Sequence, residues 1–297
     1  MAKQLKGLVT ALSTPFDNRG NLDETALRKL VQFQLDEGTD ALFVVSVCGE
    51  CDALDTDTRK RMVTIAREVI GNQIPLIAGI MAESTKLVLR NVEAYAAGCA
   101  DYVLTTPPNF LPLSQEACKE FFLAVAKNSP LPVIIYNCPL NRNYLKPETI
   151  SQLADHPNIV GLKETSTMIQ FTQMFLKVGG RADFTLFQGW EQLFVPSLAI
   201  GVDDYTVGGP GNMFPGFWQT LKKYYRGGKQ AEAVEMFLRA MRFMEEIYAL
   251  PCGALPAIKA VLQLRGLCNE SMSAPLPTAT AEELNAIQKA MDASGIF

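Results

Sequence analysis

The sequence is poor in histidine, since His156 is the only one among its 297 residues. A site with several histidine ligands is therefore excluded, and a Ser–His or Cys–His nucleophile would have to use His156. This residue lies in the turn-like stretch ADHPN, directly before an apolar run at 159–163. We expect an ordinary turn residue at the amino end of that run, opposite the end where Lys163 lies.

Long apolar runs and blocks of like charge are also absent. No run reaches the roughly 18 apolar residues that a membrane-spanning helix requires. The first residues, MAKQLKGLVTALSTPF, contain one short apolar stretch broken by Ser13, unlike the long apolar core of a secretory signal. The net charge is only −4, with no basic stripe of the kind that binds nucleic acids. We expect a cytoplasmic protein without membrane or nucleic-acid partners.

The seven cysteines are odd in number and widely scattered, which argues against a disulfide framework. Cys48 and Cys51 form one C-x-x-C, a spacing shared by redox pairs and by half of a zinc site. The sequence has no second such pair and no suitable histidine. We therefore expect no metal site, and we expect most cysteines to be small buried side chains.

Eight short runs rich in Val, Ile, Leu and Phe alternate with longer amphipathic runs. They are 7–12, 41–46, 75–80, 101–106, 132–137, 159–163, 184–188 and 204–209. Continuous apolar runs are typical of parallel strands covered on both faces, and helical periodicity fills the gaps between them. The pattern predicts a (β/α)8 (TIM) barrel. An open doubly wound sheet is disfavoured because no Gly-x-Gly-x-x-Gly follows the first run.

The pattern changes after Tyr225, where Arg226-Gly227-Gly228 interrupts the chain. An apolar helical stripe then includes Val234, Phe237, Leu238, Met241, Met244 and Tyr248, and two more helices are predicted, after Pro256 and at 280–283. We therefore predict a barrel domain over 1–225 and a helical segment over 226–297. The stripe needs a partner surface, either the barrel or another subunit.

A lysine closes the sixth apolar run, in the stretch NIVGLKETS at 158–166. Functional groups of such barrels project from the carboxyl ends of the strands, so Lys163 and Tyr136 of the fifth run should share one opening. Burial disfavours the charged ammonium and so favours the neutral amine, which is the nucleophilic form. Lowering the lysine pKa by about three units costs about 4 kcal/mol. On periodicity alone, an ammonium that reaches solvent remains the simpler alternative.

Several stretches resemble the dihydrodipicolinate synthase / N-acetylneuraminate lyase family of Schiff-base aldolases. They are GLVTALSTPF, SVCGE (46–50), YNCP (136–139), GLKETS (161–166) and FQGWEQLFVPSLAIGVDD (187–204). The resemblance implies that Lys163 forms an imine with pyruvate or a 2-keto acid containing it, without a metal or organic cofactor. It implies that Tyr136 is the general acid–base.

The same resemblance implies further site residues and an assembly. The loop 46–49, including Val47 and Cys48, would hold the substrate carboxylate through backbone N–H groups. Thr206, on the last strand, would line the pyruvate pocket. The family likeness and the apolar stripe together suggest a homotetramer or a homodimer.

Three departures from the family pattern concern proton relay and the second substrate. Val47 and Cys48 replace two hydroxyl residues, and the first of these relays protons to the tyrosine in the dihydrodipicolinate synthases. Asn109 stands where a tyrosine reaches a neighbouring subunit's site. Asn141 replaces an arginine that clasps a distal carboxylate, with Arg142 one place later.

These departures favour a lyase acting on a 2-keto-3-deoxy sugar acid or a similar 2-keto acid. Condensation of pyruvate with aspartate semialdehyde, the dihydrodipicolinate synthase reaction, remains the alternative. A barrel that binds keto acids without catalysis is an alternative of another class. The glycines of Gly208-Gly209-Pro210-Gly211 leave a phosphorylated substrate open, or they merely let the backbone lie close to the pocket.

Overall fold

The computed structural model describes residues 5–297, so residues 1–4 of the predicted barrel domain lie outside the described part. Eight parallel strands form a closed barrel in chain order. They are β1 (Leu8–Ala11), β2 (Ala41–Val44), β3 (Leu76–Ile80), β4 (Tyr102–Thr105), β5 (Val133–Asn137), β6 (Ile159–Glu164), β7 (Thr185–Gln188) and β8 (Tyr205–Val207). Each falls on a run predicted as a strand, and only β6 extends beyond its run, by Glu164. The predicted (β/α)8 barrel is confirmed.

Helices follow the strands in alternation and cover the outside of the barrel. They are α1 (Glu24–Asp36), α2 (Thr56–Ile70), α3 (Thr85–Ala97), α4 (Gln115–Asn128), α5 (Pro147–Leu153), α6 (Met168–Val178), α7 (Phe194–Ala199), α8 (Gly209–Met213) and α9 (Pro215–Arg226). The Asp55 side chain accepts a hydrogen bond from the Thr58 N–H, and Gly71 ends the same helix. Such caps satisfy backbone groups that have no partner inside the helix, so α2 begins and ends where the sequence predicts.

Two apolar clusters separate the inside of the barrel from its outer layer. The inner cluster includes Val9, Phe43 and Phe187, which alternate along their strands with residues that face the helices. All three side chains are almost completely buried. The barrel interior is therefore a packed core, which leaves chemistry to the carboxyl ends of the strands.

The C-terminal segment consists of three helices that pack on the barrel. They are α10 (Gln230–Tyr248), α11 (Ala254–Leu264) and α12 (Ala281–Ser294). The capping box predicted between Thr280 and Glu283 is confirmed at the start of α12. The buried side chains of these helices join the same core cluster as the outer helices of the barrel. The division at 225/226 therefore stays a prediction.

Helix α10 forms where the sequence predicts, and most of the predicted stripe packs against the core, with Phe237, Met241 and Tyr248 partly buried. Of the predicted stripe, Met244 is buried, whereas Val234 and Leu238 are 37% and 44% exposed. The buried face also contains Ala233 and Ala240. Small alanine side chains let a helix approach its neighbours closely, and a count of large apolar residues overlooks them.

The structure also tests the predictions about His156, the cysteines and membrane-spanning helices. His156 lies in the turn between α5 and β6, where its Nδ1 accepts a hydrogen bond of 3.2 Å from the Asn158 N–H. The prediction of a turn residue at the end opposite Lys163 is confirmed. All seven cysteines are free. Within residues 5–297, no helix is long and apolar enough to cross a membrane.

Candidate active site

Lys163 and Tyr136 lie side by side at the carboxyl end of the barrel. They are register partners on β6 and β5, and each is the penultimate residue of its strand. The Lys163 Nζ lies 4.1 Å from the centre of the Tyr136 ring and 5.5 Å from that of Phe43. Both residues line a cavity of about 240 Å³. The structure therefore brings the predicted nucleophile and the predicted general acid–base into one site.

The Lys163 side chain is enclosed rather than directed to solvent. The residue is 7% exposed, and its Nζ makes no hydrogen bond or ion pair with any residue from 5 to 297. Burial lowers the pKa of Lys163, and the acidic groups of Cys48, Cys138 and Glu191 only partly oppose this effect. The simpler alternative, an ammonium that reaches solvent, does not describe this structure. The surroundings favour the neutral amine, which is the nucleophilic form.

The phenol of Tyr136 is buried like the Lys163 amine, but burial shifts its pKa in the opposite direction. Burial raises the pKa of Tyr136, and the nearby thiols of Cys138 and Cys48 raise it further. The phenol therefore holds its proton at neutral pH. A protonated phenol beside a neutral amine is suited to donate a proton to an oxygen that leaves as the amine adds.

The loop after β2 lies at the cavity, and two of its backbone N–H groups have no acceptor in another described residue. Ser46 precedes a short 3₁₀ turn, Val47–Gly49, and its hydroxyl accepts a hydrogen bond of 3.0 Å from the Gly49 N–H. The N–H groups of Val47 and Cys48 donate to no residue in the described part of the chain. The side chains of both residues line the cavity. Burial raises the pKa of the Cys48 thiol to about 11, so it stays protonated and is a poor redox partner for Cys51.

Two other predicted site residues lie elsewhere. Thr206 lies between Tyr205 and Val207, which pack toward the helices, so by alternation its side chain faces the barrel interior. It is buried there and is not part of the cavity wall. Asn109 lies in the exposed loop after β4, outside the cavity, and its Oδ1 accepts a hydrogen bond of 2.8 Å from the Arg142 N–H.

No arginine clasps a distal group inside this cavity. The Arg142 guanidinium donates a hydrogen bond of 2.9 Å to the Phe110 carbonyl oxygen in the exposed loop. Asn141 is buried and donates 2.9 Å to the Pro107 carbonyl oxygen. Among the described residues that line the cavity, Glu191 is the one charged side chain besides Lys163.

Glu191 and Tyr248 also line the cavity, although the sequence did not single them out as functional. Glu191 follows β7 at the carboxyl end of the barrel, and that position is the signal that could have identified it. Tyr248 comes from α10, and its hydroxyl is buried without a hydrogen-bond partner in the described chain. A Cβ on Gly209 would lie 2.1 Å from this hydroxyl. The glycines after β8 therefore let neighbouring groups pack closely against the backbone. The sequence contains no signal that Tyr248 would reach the cavity.

A sequence model of the dihydrodipicolinate synthetase family matches residues 4–294. The chain belongs to this family. Two relatives are named 4-hydroxy-tetrahydrodipicolinate synthase. The one from Bacillus subtilis is 32% identical, over 92% of this chain and 94% of its own. The one from Geotalea uraniireducens is 31% identical, over 95% of this chain and 96% of its own. The solved structure of dihydrodipicolinate synthase from Bacteroides thetaiotaomicron superposes with a TM-score of 0.93 at 26% identity, over 99% of this chain and 100% of the other.

Dihydrodipicolinate synthetase family members are lyases of the class I aldolase type. They form a Schiff base between a lysine and pyruvate and use no external cofactor. The family therefore accounts for a buried lysine at the end of a barrel strand, whose dehydration has a cost in stability.

A buried acidic residue of this family member, Glu164, lies on the opposite face of β6 from Lys163. The Glu164 carboxylate accepts hydrogen bonds of 2.8 Å from Asn137 Nδ2 and 2.9 Å from the Tyr144 hydroxyl. No cation pairs with it among residues 5–297. Burial raises the pKa of Glu164 to about 7, while these hydrogen bonds partly oppose that effect.

We predict that Glu164 makes the protein less stable as the pH rises from about 4.5 to 7. In this window the unfolded chain loses the Glu164 proton while the folded chain retains it, which lowers the free energy of unfolding by up to about 3 kcal/mol. Glu164→Gln cannot titrate, so its stability relative to the wild type should increase across this window. Urea unfolding at several pH values measures the difference.

The exposed Glu235 on α10 provides the matched control, because Glu235→Gln removes a carboxylate that lies in solvent. Its stability difference from the wild type should stay constant over the same pH range. The account of Glu164 is wrong if the two variants show the same pH dependence.

Proposed function

We propose that this protein is a pyruvate-dependent Schiff-base aldolase in which Lys163 is the nucleophile and Tyr136 the general acid–base. The observation that carries the proposal is the buried, unpaired Nζ of Lys163 at 4.1 Å from the Tyr136 ring centre. A neutral amine there adds to the C2 carbonyl of the keto acid. Tyr136 then donates a proton to the C2 oxygen, which leaves as water and gives the protonated imine.

The protonated imine acts as an electron sink for the next step. The C3–C4 bond breaks, and its electrons flow toward the imine nitrogen. The phenolate of Tyr136 accepts the proton of the C4 hydroxyl, and C4 leaves as the carbonyl carbon of an aldehyde. The reverse sequence forms the bond. We assign the free N–H groups of Val47 and Cys48 to the substrate carboxylate, whereas Thr206 is outside the cavity wall and is assigned no contact with the substrate.

The outer cavity favours an aldehyde partner without a negative charge. Leu140, Trp190 and Leu255 give it an apolar wall, and Glu191 is its acidic group. A second carboxylate or a phosphate would find no cation besides Lys163 among the cavity residues, and the burial that raises the pKa of Glu191 would also disfavour another anion there. Glu191 and the Tyr248 hydroxyl can instead bond to substrate hydroxyls. These features support a 2-keto-3-deoxy sugar acid as the substrate.

Condensation with aspartate semialdehyde is the second candidate, because the curated relatives carry the name of that synthase. Against it stands the position of Arg142, whose guanidinium bonds to the Phe110 carbonyl outside the cavity. Asn109 also provides no phenol in the loop after β4. The second candidate therefore needs a different way to bind the carboxylate of its aldehyde.

We further infer a homo-oligomer, a dimer or a tetramer. Phe110 and Leu140, in the loops after β4 and β5, are 78% and 85% exposed, which is unusual for large apolar side chains near a site. Covering them with a second copy would remove apolar surface from water. Sedimentation velocity at micromolar concentration should show a species larger than a monomer, and a single monomeric species would contradict this inference. The predicted cytoplasmic location stays a prediction.

Borohydride reduction in the presence of pyruvate tests the imine. We predict one pyruvate-derived adduct, on the peptide that contains Lys163, because only a neutral buried amine next to the carboxylate loop is positioned to form it. Mass mapping of the digest locates the adduct. The buried Lys259 is an internal control and should stay unmodified. An adduct elsewhere, or none from folded protein, would exclude the proposed nucleophile.

Tyr136→Phe separates proton transfer from imine formation. Loss of a general acid–base typically lowers turnover by about 10²–10⁴-fold, so this variant should turn over slowly but still yield the Lys163 adduct after long incubation. Lys163→Arg should yield neither turnover nor adduct. If Tyr136→Phe turned over at the wild-type rate, the phenol would have no role in the reaction.

A panel of aldehydes with pyruvate tests the partner. We predict that an uncharged hydroxyaldehyde such as glyceraldehyde exceeds both glyceraldehyde 3-phosphate and aspartate semialdehyde by about tenfold or more in kcat/KM, since charge mismatch in the cavity costs about 1.4 kcal/mol or more. Glu191→Gln should reduce the discrimination against the phosphate. Preference for aspartate semialdehyde would establish the second candidate, and no turnover with any partner would favour a binding protein.

A further inference from the structure

A buried ion pair joins the carboxylate loop to the C-terminal segment, and the chemistry described above does not use it. Glu50 Oε1 lies 2.8 Å from Lys259 Nζ, and both side chains are 2% exposed. Every other ion pair within residues 5–297 has at least one side chain 34% or more exposed. Removing two charges from water costs free energy. Replacing a buried ion pair with apolar residues of similar size therefore often leaves the stability of a fold unchanged or increases it. The pair therefore calls for a reason other than stability.

The loop that contains Glu50 has an unfavourable backbone at both ends. Val45, before the loop, has a φ of 56°, and Glu50, directly after the Val47–Gly49 turn, has a φ of 55°. Such conformations cost of the order of 1–3 kcal/mol in residues other than glycine and persist only where the surroundings hold them. The cost is highest for a β-branched residue such as Val45. Val47 and Cys48, whose N–H groups have no acceptor in another described residue, lie between these two positions.

The side chain of Glu50 is held from several directions. Its Oε2 accepts hydrogen bonds from the N–H and the hydroxyl of Ser273, at 2.8 Å from the nitrogen. Lys259 Nζ also donates 2.6 Å to the Ser271 carbonyl oxygen and lies 4.3 Å from the centre of the Phe16 ring. The left-handed residue is thus fixed to α11 and to the chain that follows it.

The same helix also forms part of the cavity wall. Leu255 and Ile258 of α11 line the cavity, and Lys259 is the next residue. A shift of α11 would therefore move the cavity wall and the anchor of the loop together. The C-terminal segment is mechanically linked to the part of the site that faces the substrate carboxylate.

We propose that Glu50 and Lys259 are positioning residues, which hold the N–H groups of Val47 and Cys48 in the geometry that binds the keto-acid carboxylate. This inference rests on the proposed function, because it gives the loop a carboxylate to bind. The C-terminal segment, through Lys259, would thus control the affinity for pyruvate. Neither side chain contacts the reacting atoms in this scheme.

The test uses the concentration of pyruvate that gives half-maximal borohydride trapping on Lys163, which requires no aldehyde partner. Lys259→Met and Glu50→Gln should each raise this concentration by about tenfold or more, because a charge-assisted contact that sets the loop is worth about 1.5–3 kcal/mol. The adduct yield at saturating pyruvate should change less than about threefold, since Lys163 and Tyr136 stay in place. All measurements are made where circular dichroism shows folded protein.

Trp218→Phe is the matched control for a loss of stability alone. Trp218 of α9 is fully buried, and its ring packs against Phe194, Phe214 and Phe217, which lie outside the carboxylate loop. It should lower the melting temperature and leave the half-saturating pyruvate concentration unchanged. An equal rise in Trp218→Phe, or no rise in Lys259→Met, would overturn the proposal.

The double variant Glu50→Gln/Lys259→Met covers the case in which a single variant does not fold. It leaves no unpaired buried charge, so its stability should exceed that of Lys259→Met, whereas its half-saturating concentration should stay raised. Recovery of wild-type affinity in this double variant would refute a role for the ion pair. If wild-type protein yields no adduct at all, the proposed function fails rather than this inference.

Discussion

The dehydration of one amine governs the organisation of this protein. Lys163 is buried without an ionic partner among the described residues, and this burial favours the neutral form that ordinary lysines rarely adopt at pH 7. A charge removed from water reduces stability, so the surrounding barrel must supply the compensation. The packed interior below Lys163 and the helices around it provide the rigid, poorly solvated surroundings that lower the pKa of the amine.

Burial acts on Lys163 and Tyr136 in opposite directions, and this difference gives each residue its role. It lowers the pKa of the amine and raises the pKa of the phenol, which suits the proposed roles of nucleophile and proton donor. Their equal positions on adjacent strands result from the register of β5 and β6. The barrel needs no metal in this scheme, because the imine itself withdraws the electrons.

Much of this arrangement could be predicted from sequence, because parallel strands buried on both faces leave continuous apolar runs. All eight runs become strands, and a lysine at the end of one indicates the functional end of the barrel. Tyr248 could not be predicted, since it reaches the cavity from α10 only through tertiary packing. The buried face of α10 was predicted only in part, because Ala233 and Ala240 carry little periodic signal. Local patterns describe strands well and describe contacts between distant segments poorly.

The pH dependence of imine formation measures the protonation of Lys163 most directly. The single-turnover rate of trapping with saturating pyruvate can be followed from about pH 5 to pH 10.5, which reaches the ordinary lysine pKa of about 10.4. A buried, dehydrated amine predicts that the rate reaches its plateau well below that value. A rate that is still rising steeply at about pH 10.5 would show an ordinary, hydrated lysine and would contradict the account.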